Sequence, residues 1–405
     1  MTDARPGLHR PFARRETEFR PSPVRAVFEL AMDPAYVSLA GGNPDTGLLP
    51  TAEVADLSAQ LLRERGAEIL QYGSGAGADA LREAVVHLMA QTGSAVSGAD
   101  VLATTGSQMG LDLVTKLFCD PGDVVIAEGP TYVGAMGVFG SYEVDLRQVP
   151  VDDAGMDPDQ LAGVLDAERA AGRTVRFVYV IPHHQNPSGV TLTAERRRRV
   201  VEVCAARDVL VLEDDPYAFV GFPGNDPLPS LHSLHPEGVV HLGSMSKLFA
   251  PGLRVGWIVA PPELRARLQL AGEAVDIHPS ALSQEVAAAW VTGPRWRPVL
   301  DAQRAVYAER CRVLLDALGR EMPPGVHWTE PSGGFFTWLT LPGVPPGTDL
   351  LGAAIEQRLV LVPGDACFVD PPPTRHVRLA FSSGSDADLI EGARRLGAMV
   401  RAVQA

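Results

Sequence analysis

A lysine in this chain stands between two serines and an arginine. Ser244 and Ser246 precede Lys247, and Arg254 follows it in the same short segment, residues 242–257. A lysine amine can form a Schiff base with an aldehyde, and hydroxyl groups beside an arginine can hold a phosphate dianion. Pyridoxal 5'-phosphate presents both an aldehyde and a phosphate, so the segment is suited to that cofactor. Taken alone, the same residues also fit a surface lysine ahead of a strand.

Three adjacent acids, Glu213, Asp214 and Asp215, directly follow an apolar run. Burying them is unfavourable unless a cation pairs with one of them, and a protonated pyridine nitrogen is such a cation. Other polar and aromatic side chains follow apolar runs in the same way: Ser107, Gln108, Tyr132 and Asn186. Each placement alone also fits a helix cap, a turn or an ordinary buried polar group. Their joint placement favours a ligand site in which a helix N-terminus binds phosphate.

These side chains follow the strands of a predicted α/β sheet. Up to about residue 260, short apolar runs alternate with helical runs. Strands are predicted at residues 101–104, 124–127, 144–149, 175–181, 209–213, 239–243 and 255–260. Apolar strands separated by helices indicate a mostly parallel, seven-stranded sheet covered by helices. Ligands of such sheets bind at the carboxyl ends of the strands, where the polar side chains stand.

The pattern changes after about residue 261, where helices become longer and strands fewer. This change indicates a second, smaller α+β domain. The predicted division is an N-terminal arm with part of the small domain at residues 1–50, a large domain at 51–285 and a small C-terminal domain at 286–405.

Composition excludes several classes of protein. The chain has 405 residues and a net charge of −14, which argues against a nucleic-acid or anionic-membrane surface. The run of four arginines at 196–199 could form a basic patch, but valines follow it in helical register, so we predict the solvated face of a helix. No apolar run approaches the roughly 20 residues needed to cross a bilayer.

Cysteine and histidine spacing predicts neither disulfides nor a metal site. The scattered cysteines are Cys119, Cys204, Cys311 and Cys367. A chain of this length does not need disulfides, and the adjacent His183 and His184 rarely face one ion together. The N-terminal segment lacks the apolar core of a secretory signal. We therefore predict reduced thiols in a cytoplasmic protein.

Six motifs of the chain resemble those of one enzyme superfamily. They lie at residues 40–44, 105–108, 182–189, 213–217, 243–256 and 378–382. From about Ser22 to its C-terminus, the chain resembles the fold type I pyridoxal-phosphate enzymes of the class I/II aminotransferase superfamily. It is most similar to the branch of 2-aminoadipate aminotransferases and of the aminotransferase-like domains of MocR regulators, without their DNA-binding domain. The resemblance implies a large cofactor-binding domain and a smaller one.

The resemblance assigns Lys247, Asp214 and Tyr217 to catalysis. Lys247 would hold the cofactor as a Schiff base and then move the proton between the substrate's Cα and the cofactor. Asp214 would pair with the ring nitrogen and keep the ring an electron sink. Asn186 and Tyr217 would hydrogen-bond the phenolic oxygen of the ring, and Tyr132 would stack on it. The implied phosphate cup consists of Ser107, Gln108, Ser244, Ser246 and Arg254.

Further implied contacts concern the substrate and a second subunit. Arg378 would hold the substrate's α-carboxylate with two parallel hydrogen bonds, with Asn186 and Gly42 beside it, although Gly42 also fits a plain turn. Arg25 matches an N-terminal arginine near the substrate in relatives that use acidic amino acids, and equally fits a surface arginine on a helix. Tyr72 matches the tyrosine that reaches the neighbouring subunit's cofactor, so a homodimer with shared active sites is implied.

Three functions remain open at this point. The leading one is an aminotransferase that moves the amino group of an L-amino acid to a 2-oxo acid by ping-pong chemistry through Lys247. The second is an enzyme of the same fold with another outcome, such as elimination, cyclisation or oxidation, because the motifs do not fix the fate of the carbanion. The third is a non-catalytic regulator that senses pyridoxal phosphate, which the acidic charge and the short N-terminal segment disfavour.

The motifs do not identify the amino donor. The part of the site that receives the donor's side chain is built from loops and the N-terminal arm, where the resemblance is weakest. Glu16 and Glu18 would meet a cationic donor if that arm folds over the site.

Overall fold

The computed structural model describes residues 12–18 and 28–404, and every structural statement here concerns those residues. Its strands are, in chain order, β1 (Val37–Ser38), β2 (Val101–Thr104), β3 (Val124–Gly129), β4 (Asp145–Asp152), β5 (Gly155–Met156), β6 (Val175–Val180), β7 (Leu210–Asp214), β8 (Val239–Ser244), β9 (Gly256–Val259), β10 (His327–Trp328), β11 (Phe336–Leu341), β12 (Leu359–Val360), β13 (Val362–Pro363) and β14 (Arg375–Ala380).

The α-helices alternate with these strands in the first two thirds of the chain and dominate the last third. They are α1 (Phe28–Ala31), α2 (Thr51–Ile69), α3 (Asp79–Gln91), α4 (Ser107–Phe118), α5 (Val133–Ser141), α6 (Pro158–Ala170), α7 (Ala194–Ala205), α8 (Leu231–Leu234), α9 (Met245–Leu248), α10 (Pro262–Asp276), α11 (Ala281–Thr292), α12 (Trp296–Glu321), α13 (Leu350–Glu356) and α14 (Asp386–Gln404). Within the described ranges, none is both long and apolar enough to span a bilayer.

The large sheet has the strand order β2–β9–β8–β7–β6–β3–β4–β5. Strands β8, β7, β6, β3 and β4 pair in parallel, whereas β9 is antiparallel to both of its neighbours. The predicted α/β fold with a mostly parallel sheet is confirmed, with one added strand. The eighth strand, β5, has two residues and pairs antiparallel with β4. So short a strand gives no alternating pattern that a sequence could reveal.

Both faces of this sheet are buried, as a parallel sheet covered by helices requires. In β3, Val125 joins the hydrophobic core on one face, and Val124 and Ile126 join the core on the other. Helices α4 and α10 supply apolar side chains to the first core, and α6 and α7 to the second. The sheet is therefore a rigid platform whose carboxyl edge can hold polar side chains in fixed positions.

A smaller antiparallel sheet, in the order β10–β11–β14–β13, lies in the C-terminal part. Strand β1 pairs in parallel with β12, which brings the segment after the N-terminal arm to the C-terminal part of the chain. This pairing agrees with an N-terminal contribution to the small domain, while the predicted boundaries at residues 50 and 285 stay predictions.

The prediction that the four-arginine run lies on a solvated helix face is wrong for Arg197. Its side chain is buried and donates hydrogen bonds to the carbonyl oxygens of Pro182, Leu192 and Pro229 at 2.7–2.9 Å. Because Val200 stands three residues later, the helical period places both on the same buried face of α7. Arg197 thus ties both ends of the loop after β6 to the neighbouring segment.

Candidate active site

One cavity of about 610 Å³ lies at the carboxyl ends of β7 and β8. This is the edge where the topology of the sheet predicts a ligand. Most residues singled out from the sequence line it: Gly42, Ser107, Gln108, Tyr132, Asn186, Asp214, Tyr217, Ser244, Ser246, Lys247, Arg254 and Arg378. Residues from seven sequence segments therefore converge on one space.

Lys247 lies on the short helix α9, which begins directly after β8. Its Nζ donates a hydrogen bond to the carbonyl oxygen of Gly42 at 2.9 Å. Burial, together with the positive charges of Arg378 and Arg254, lowers the pKa of Lys247 to about 8. The amine is therefore largely neutral at mildly alkaline pH, and the neutral amine is the nucleophilic form.

The two acids that flank Asp214 have histidine partners. Glu213 Oε2 lies 2.9 Å from Nδ1 of His241, and Glu213 also accepts two backbone hydrogen bonds. Asp215 Oδ2 lies 2.9 Å from Nδ1 of His183. The other ring nitrogen of His183 accepts a hydrogen bond from a backbone N–H at 3.0 Å, so Nδ1 carries the proton and donates to Asp215. Both flanking acids are satisfied within the protein.

Asp214 differs from its neighbours because one of its oxygens is open. Oδ2 accepts a hydrogen bond from the hydroxyl of Tyr179 at 2.7 Å, whereas Oδ1 is buried without a hydrogen-bond partner in the described part of the chain. Burial raises the pKa of Asp214 to about 6, although the Tyr179 hydroxyl opposes the rise. A buried carboxylate with an open oxygen beside the cavity fits a protonated pyridine nitrogen.

The start of helix α4 forms a cradle for an anion. The helix begins at Ser107, after Gly106, and the free N–H groups of a helix start favour phosphate. Arg254 reaches this cradle, where its Nη1 donates to Ser246 Oγ at 3.4 Å. A Cβ at Gly106 would lie 2.5 Å from Arg254 Nη2, and one at Gly256 would lie 2.6 Å from the backbone nitrogen of Ser107. Glycine at both positions keeps the cradle open, so these residues fit the phosphate of the cofactor.

Two tyrosines form part of the cavity wall. The hydroxyl of Tyr132 donates to Gln108 Oε1 at 3.4 Å, which connects its ring to helix α4. Tyr217 packs edge-on against Phe336, with ring centroids 6.1 Å apart. Burial raises the pKa of Tyr217 above its usual value, so its hydroxyl stays protonated and can donate a hydrogen bond.

Arg378 projects from β14 into the same cavity and is buried. Its Nη1 donates to Asn186 Oδ1 at 2.9 Å, and its Nη2 donates to the carbonyl oxygen of Ala40 at 2.6 Å. The guanidinium lies over the ring of Phe336, 4.3 Å from its centroid. A Cβ at Gly42 would clash with Phe336 at 2.2 Å, so the backbone can come this close to Phe336 only if residue 42 is glycine. Within the described ranges, Arg378 has no carboxylate partner, which suits it to a substrate carboxylate.

Among the described residues, one predicted site residue, Tyr72, does not line the cavity. Tyr72 is exposed, and its ring packs edge-on against His278 with centroids 5.8 Å apart. Arg25 lies outside the described residues, as does the side chain of Glu18. Glu16 is exposed on a short 3-10 helix. The roles of Tyr72, Arg25 and the two glutamates stay predictions.

Sequence reasoning missed two contributors to the site, Tyr179 and Phe336. Tyr179 belongs to an apolar strand, where a tyrosine is usually a packing residue. A signal was present nonetheless. Tyr179 pairs in register with Leu212, and Asp214 follows two residues later on the same face of the sheet. Phe336 gave no such signal, because its strand belongs to the other sheet.

Comparison with known proteins defines the class of protein. The sequence profile of the family "Aminotransferase class I and II" matches residues 34–396, so the chain belongs to this family. It is 36% identical over 398 residues to the 2-aminoadipate transaminase of Thermus thermophilus, covering 97% of each chain. It is 34% identical over 392 residues to aromatic-amino-acid aminotransferase 1 of Thermococcus litoralis, covering 96% of this chain and 94% of the relative.

A solved structure gives the same result. The crystal structure of Pyrococcus horikoshii kynurenine aminotransferase in complex with PMP matches with a TM-score of 0.92 and 34% identity, covering 96% of this chain and 97% of that one. The fold is thus that of the fold type I enzymes, and the cofactor is pyridoxal 5'-phosphate. The chain is an aminotransferase that exchanges an amino group between an amino acid and a 2-oxo acid, and the leading sequence prediction is confirmed.

Proposed function

We propose that Lys247, Asp214 and Arg378 perform this transamination in the cavity at the edge of the large sheet. The observation that carries the proposal is their shared state. All three are buried or nearly so, line one cavity, and have no oppositely charged side-chain partner in the described part of the chain. Lys247 is therefore available to react with an aldehyde, Asp214 to bind a protonated ring nitrogen, and Arg378 to bind a carboxylate.

Bound in this cavity, the cofactor supplies an electron sink that stabilises negative charge at the substrate's Cα. Asp214 Oδ1 would hold the protonated ring nitrogen, and the cradle at Ser107, Ser246 and Arg254 would hold the phosphate. Lys247 Nζ, increasingly neutral above its pKa of about 8, would move the proton between the substrate's Cα and the cofactor. The Tyr217 hydroxyl would donate to the phenolic oxygen of the ring.

The donor is an α-amino acid whose carboxylate binds Arg378. The guanidinium is held between Phe336 below and Asn186 beside it, so it keeps one orientation. The names of the relatives give three donors to test first, namely an aromatic amino acid, 2-aminoadipate and kynurenine. Turnover assays with each donor and 2-oxoglutarate rank them by kcat/KM.

Under this proposal the protein forms a homodimer, and residues of both subunits contribute to each of its two active sites. Large apolar side chains are exposed close to Tyr72, among them Leu70, Val275 and Ile277, at 72%, 54% and 58%. Such a patch is typical of a protein interface, and it would let Tyr72 reach the phosphate cradle of a second copy. The cytoplasmic location is also part of the proposal, supported by four cysteines that are all buried and free.

The two lysines of the chain allow a direct test of Lys247. Besides Lys247 there is only Lys116, which is exposed on α4. Borohydride reduction of the cofactor-loaded protein, followed by peptide mass analysis, should find the label on Lys247. A label found only on Lys116, or none at all, would contradict the proposal.

A mixing experiment tests the shared sites. Lys247→Ala and Tyr72→Ala each damage a different half of a shared site, so a hybrid dimer has one site with both defects and one intact site. Refolding the two variants together should restore activity to about a quarter of the wild-type value. Activity no higher than that of the separate variants would contradict the sharing of Tyr72.

A further inference from the structure

The three adjacent acids at the end of β7 have different donors. Glu213 and Asp215 are bonded to histidines, but Asp214 has one donor, the hydroxyl of Tyr179 at 2.7 Å. Burial and the nearby Asp214 charge raise the pKa of Tyr179 well above its usual value. The phenol therefore stays protonated and can only donate to Asp214, and an ionised carboxylate is the stronger acceptor.

The donor is held in a fixed place. Tyr179 lies on β6, next to β7 in the sheet, and its side chain is fully buried. Its ring packs edge-on against Phe139 with centroids 5.5 Å apart, and Phe139 in turn packs against Phe177 at 5.8 Å. The position of the hydroxyl is therefore fixed by aromatic packing within the core on one face of the sheet, independently of any ligand.

We propose that Tyr179 is a positioning residue for the cofactor: its hydroxyl occupies Oδ2 of Asp214, keeps that carboxylate ionised and leaves Oδ1 open for the protonated ring nitrogen. The inference rests on the proposed function of Asp214. Tyr179 itself does not line the cavity and acts only through Asp214.

The surroundings of the pair explain why this one donor matters. The titratable groups that face Asp214 or Tyr179 from neighbouring elements are Asp215, His241, Tyr132, Tyr217 and Glu128. Burial is the largest influence on Asp214 and favours the neutral acid. The Tyr179 hydrogen bond is the strongest influence in the opposite direction, ahead of the charge of His241. Without the hydroxyl, the pKa of Asp214 would rise further, and a larger fraction of the carboxyl would be neutral near neutral pH.

The test compares Tyr179→Phe with Tyr142→Phe. The first variant keeps the ring and removes only the hydroxyl. The second removes a hydroxyl that donates to another aspartate, Asp112, at 3.1 Å, outside the cavity. The affinity of the cofactor-free protein for pyridoxal 5'-phosphate is measured by equilibrium dialysis between about pH 6 and pH 9, and near-ultraviolet circular dichroism checks the fold.

We expect Tyr179→Phe to bind the cofactor roughly tenfold more weakly at neutral pH, because a hydrogen bond to a charged group is lost. The loss should shrink as the pH rises, since Asp214 then ionises without help. Tyr142→Phe should match the wild type throughout. A purely structural role of Tyr179 would instead weaken binding by the same factor at every pH.

Testing Tyr179→Phe in an Asp214→Asn variant distinguishes a failure of this inference from a failure of the proposed function. In Asp214→Asn, which has no carboxylate to position, adding Tyr179→Phe should change cofactor affinity no further. A harmless Tyr179→Phe beside a damaging Asp214→Asn would overturn the inference alone, as would a pH-independent loss. An Asp214→Asn variant that binds the cofactor as the wild type does would overturn the proposed role of Asp214 and the inference with it.

Discussion

The large sheet has one edge formed by the amino ends of its parallel strands and one formed by their carboxyl ends. Buried charged side chains at these two edges differ in whether they have a charged partner. At the amino ends of β4 and β6, the buried carboxylate of Glu168 contacts both Arg147 and Arg173. At the carboxyl ends of β7 and β8, Asp214 and Arg378 are equally buried, yet neither has an oppositely charged side-chain partner in the described ranges. The paired edge neutralises its buried charge internally, whereas the open edge leaves Asp214 and Arg378 without a charged partner between its satisfied neighbours Glu213 and Asp215.

This difference indicates that a ligand binds at the carboxyl edge of the sheet. An unpaired buried charge is unfavourable by several kcal/mol, so a stable fold keeps one only where a bound group supplies the opposite charge. The lowered pKa of Lys247 has the same origin, because burial and two nearby arginines disfavour its charged form. Variants at the open edge should therefore affect catalysis, and variants at the paired edge should affect stability.

The largest effect is expected for Lys247→Ala. We expect kcat to fall by about three orders of magnitude or more, because the variant lacks both the nucleophile and the base. Cofactor should still bind non-covalently through the cradle at the start of α4. Steady-state assays with Lys116→Ala as the matched control should give wild-type kcat for the control. Wild-type turnover in Lys247→Ala would remove the basis of the comparison.

The next effect is expected for Arg378→Ala at the same edge. Losing the carboxylate partner should lower kcat/KM for amino donors roughly 100-fold, as for a buried charged contact. Cofactor affinity should change little, since the phosphate cradle lies elsewhere in the cavity. Arg199→Ala, which removes an exposed arginine paired with Asp159, is the control. Equal KM values for every donor in the variant and the wild type would argue against a substrate role.

A pH experiment sharpens the account of Lys247. The cofactor aldehyde reacts with the neutral amine, so the rate of cofactor attachment should rise with pH and level off above the pKa of about 8. In Arg378→Ala the inflection should move to higher pH, because a positive charge that lowers the Lys247 pKa is gone. Stopped-flow absorbance measures both curves. An identical inflection in the two proteins would show that the charge of Arg378 does not contribute to the lowered pKa of Lys247.

Most of the open edge could be predicted from the sequence, because its residues follow strands in recognisable motifs. Short apolar runs predict the strands that precede Asp214 and Lys247. The parallel order of these strands then places their carboxyl ends side by side. Tyr179 could not be assigned, since its partner is known only once β6 and β7 are paired in register. The burial of Arg197 is not predicted when a run of four arginines is treated as one solvated face. Consecutive residues of a helix point in different directions, so one arginine of the run can lie on the buried face. The predicted roles of Tyr72 and Arg25 involve a second subunit and the N-terminal arm, which the pattern of one chain does not place.

The smallest effect on activity is expected at the paired edge. Glu168→Gln removes one of the two carboxylates that Arg147 and Arg173 share, since both also pair with Asp145, and should lower the free energy of unfolding by about 1–3 kcal/mol. Asp159→Asn, on the same helix α6 but exposed, should change it by less than about 0.5 kcal/mol. Urea denaturation followed by circular dichroism gives both values, and kcat should stay at the wild-type level in each variant. If Glu168→Gln lowered kcat in proportion to its loss of stability, the two edges would be coupled, and the open charges at the carboxyl edge could not be explained by the ligand alone.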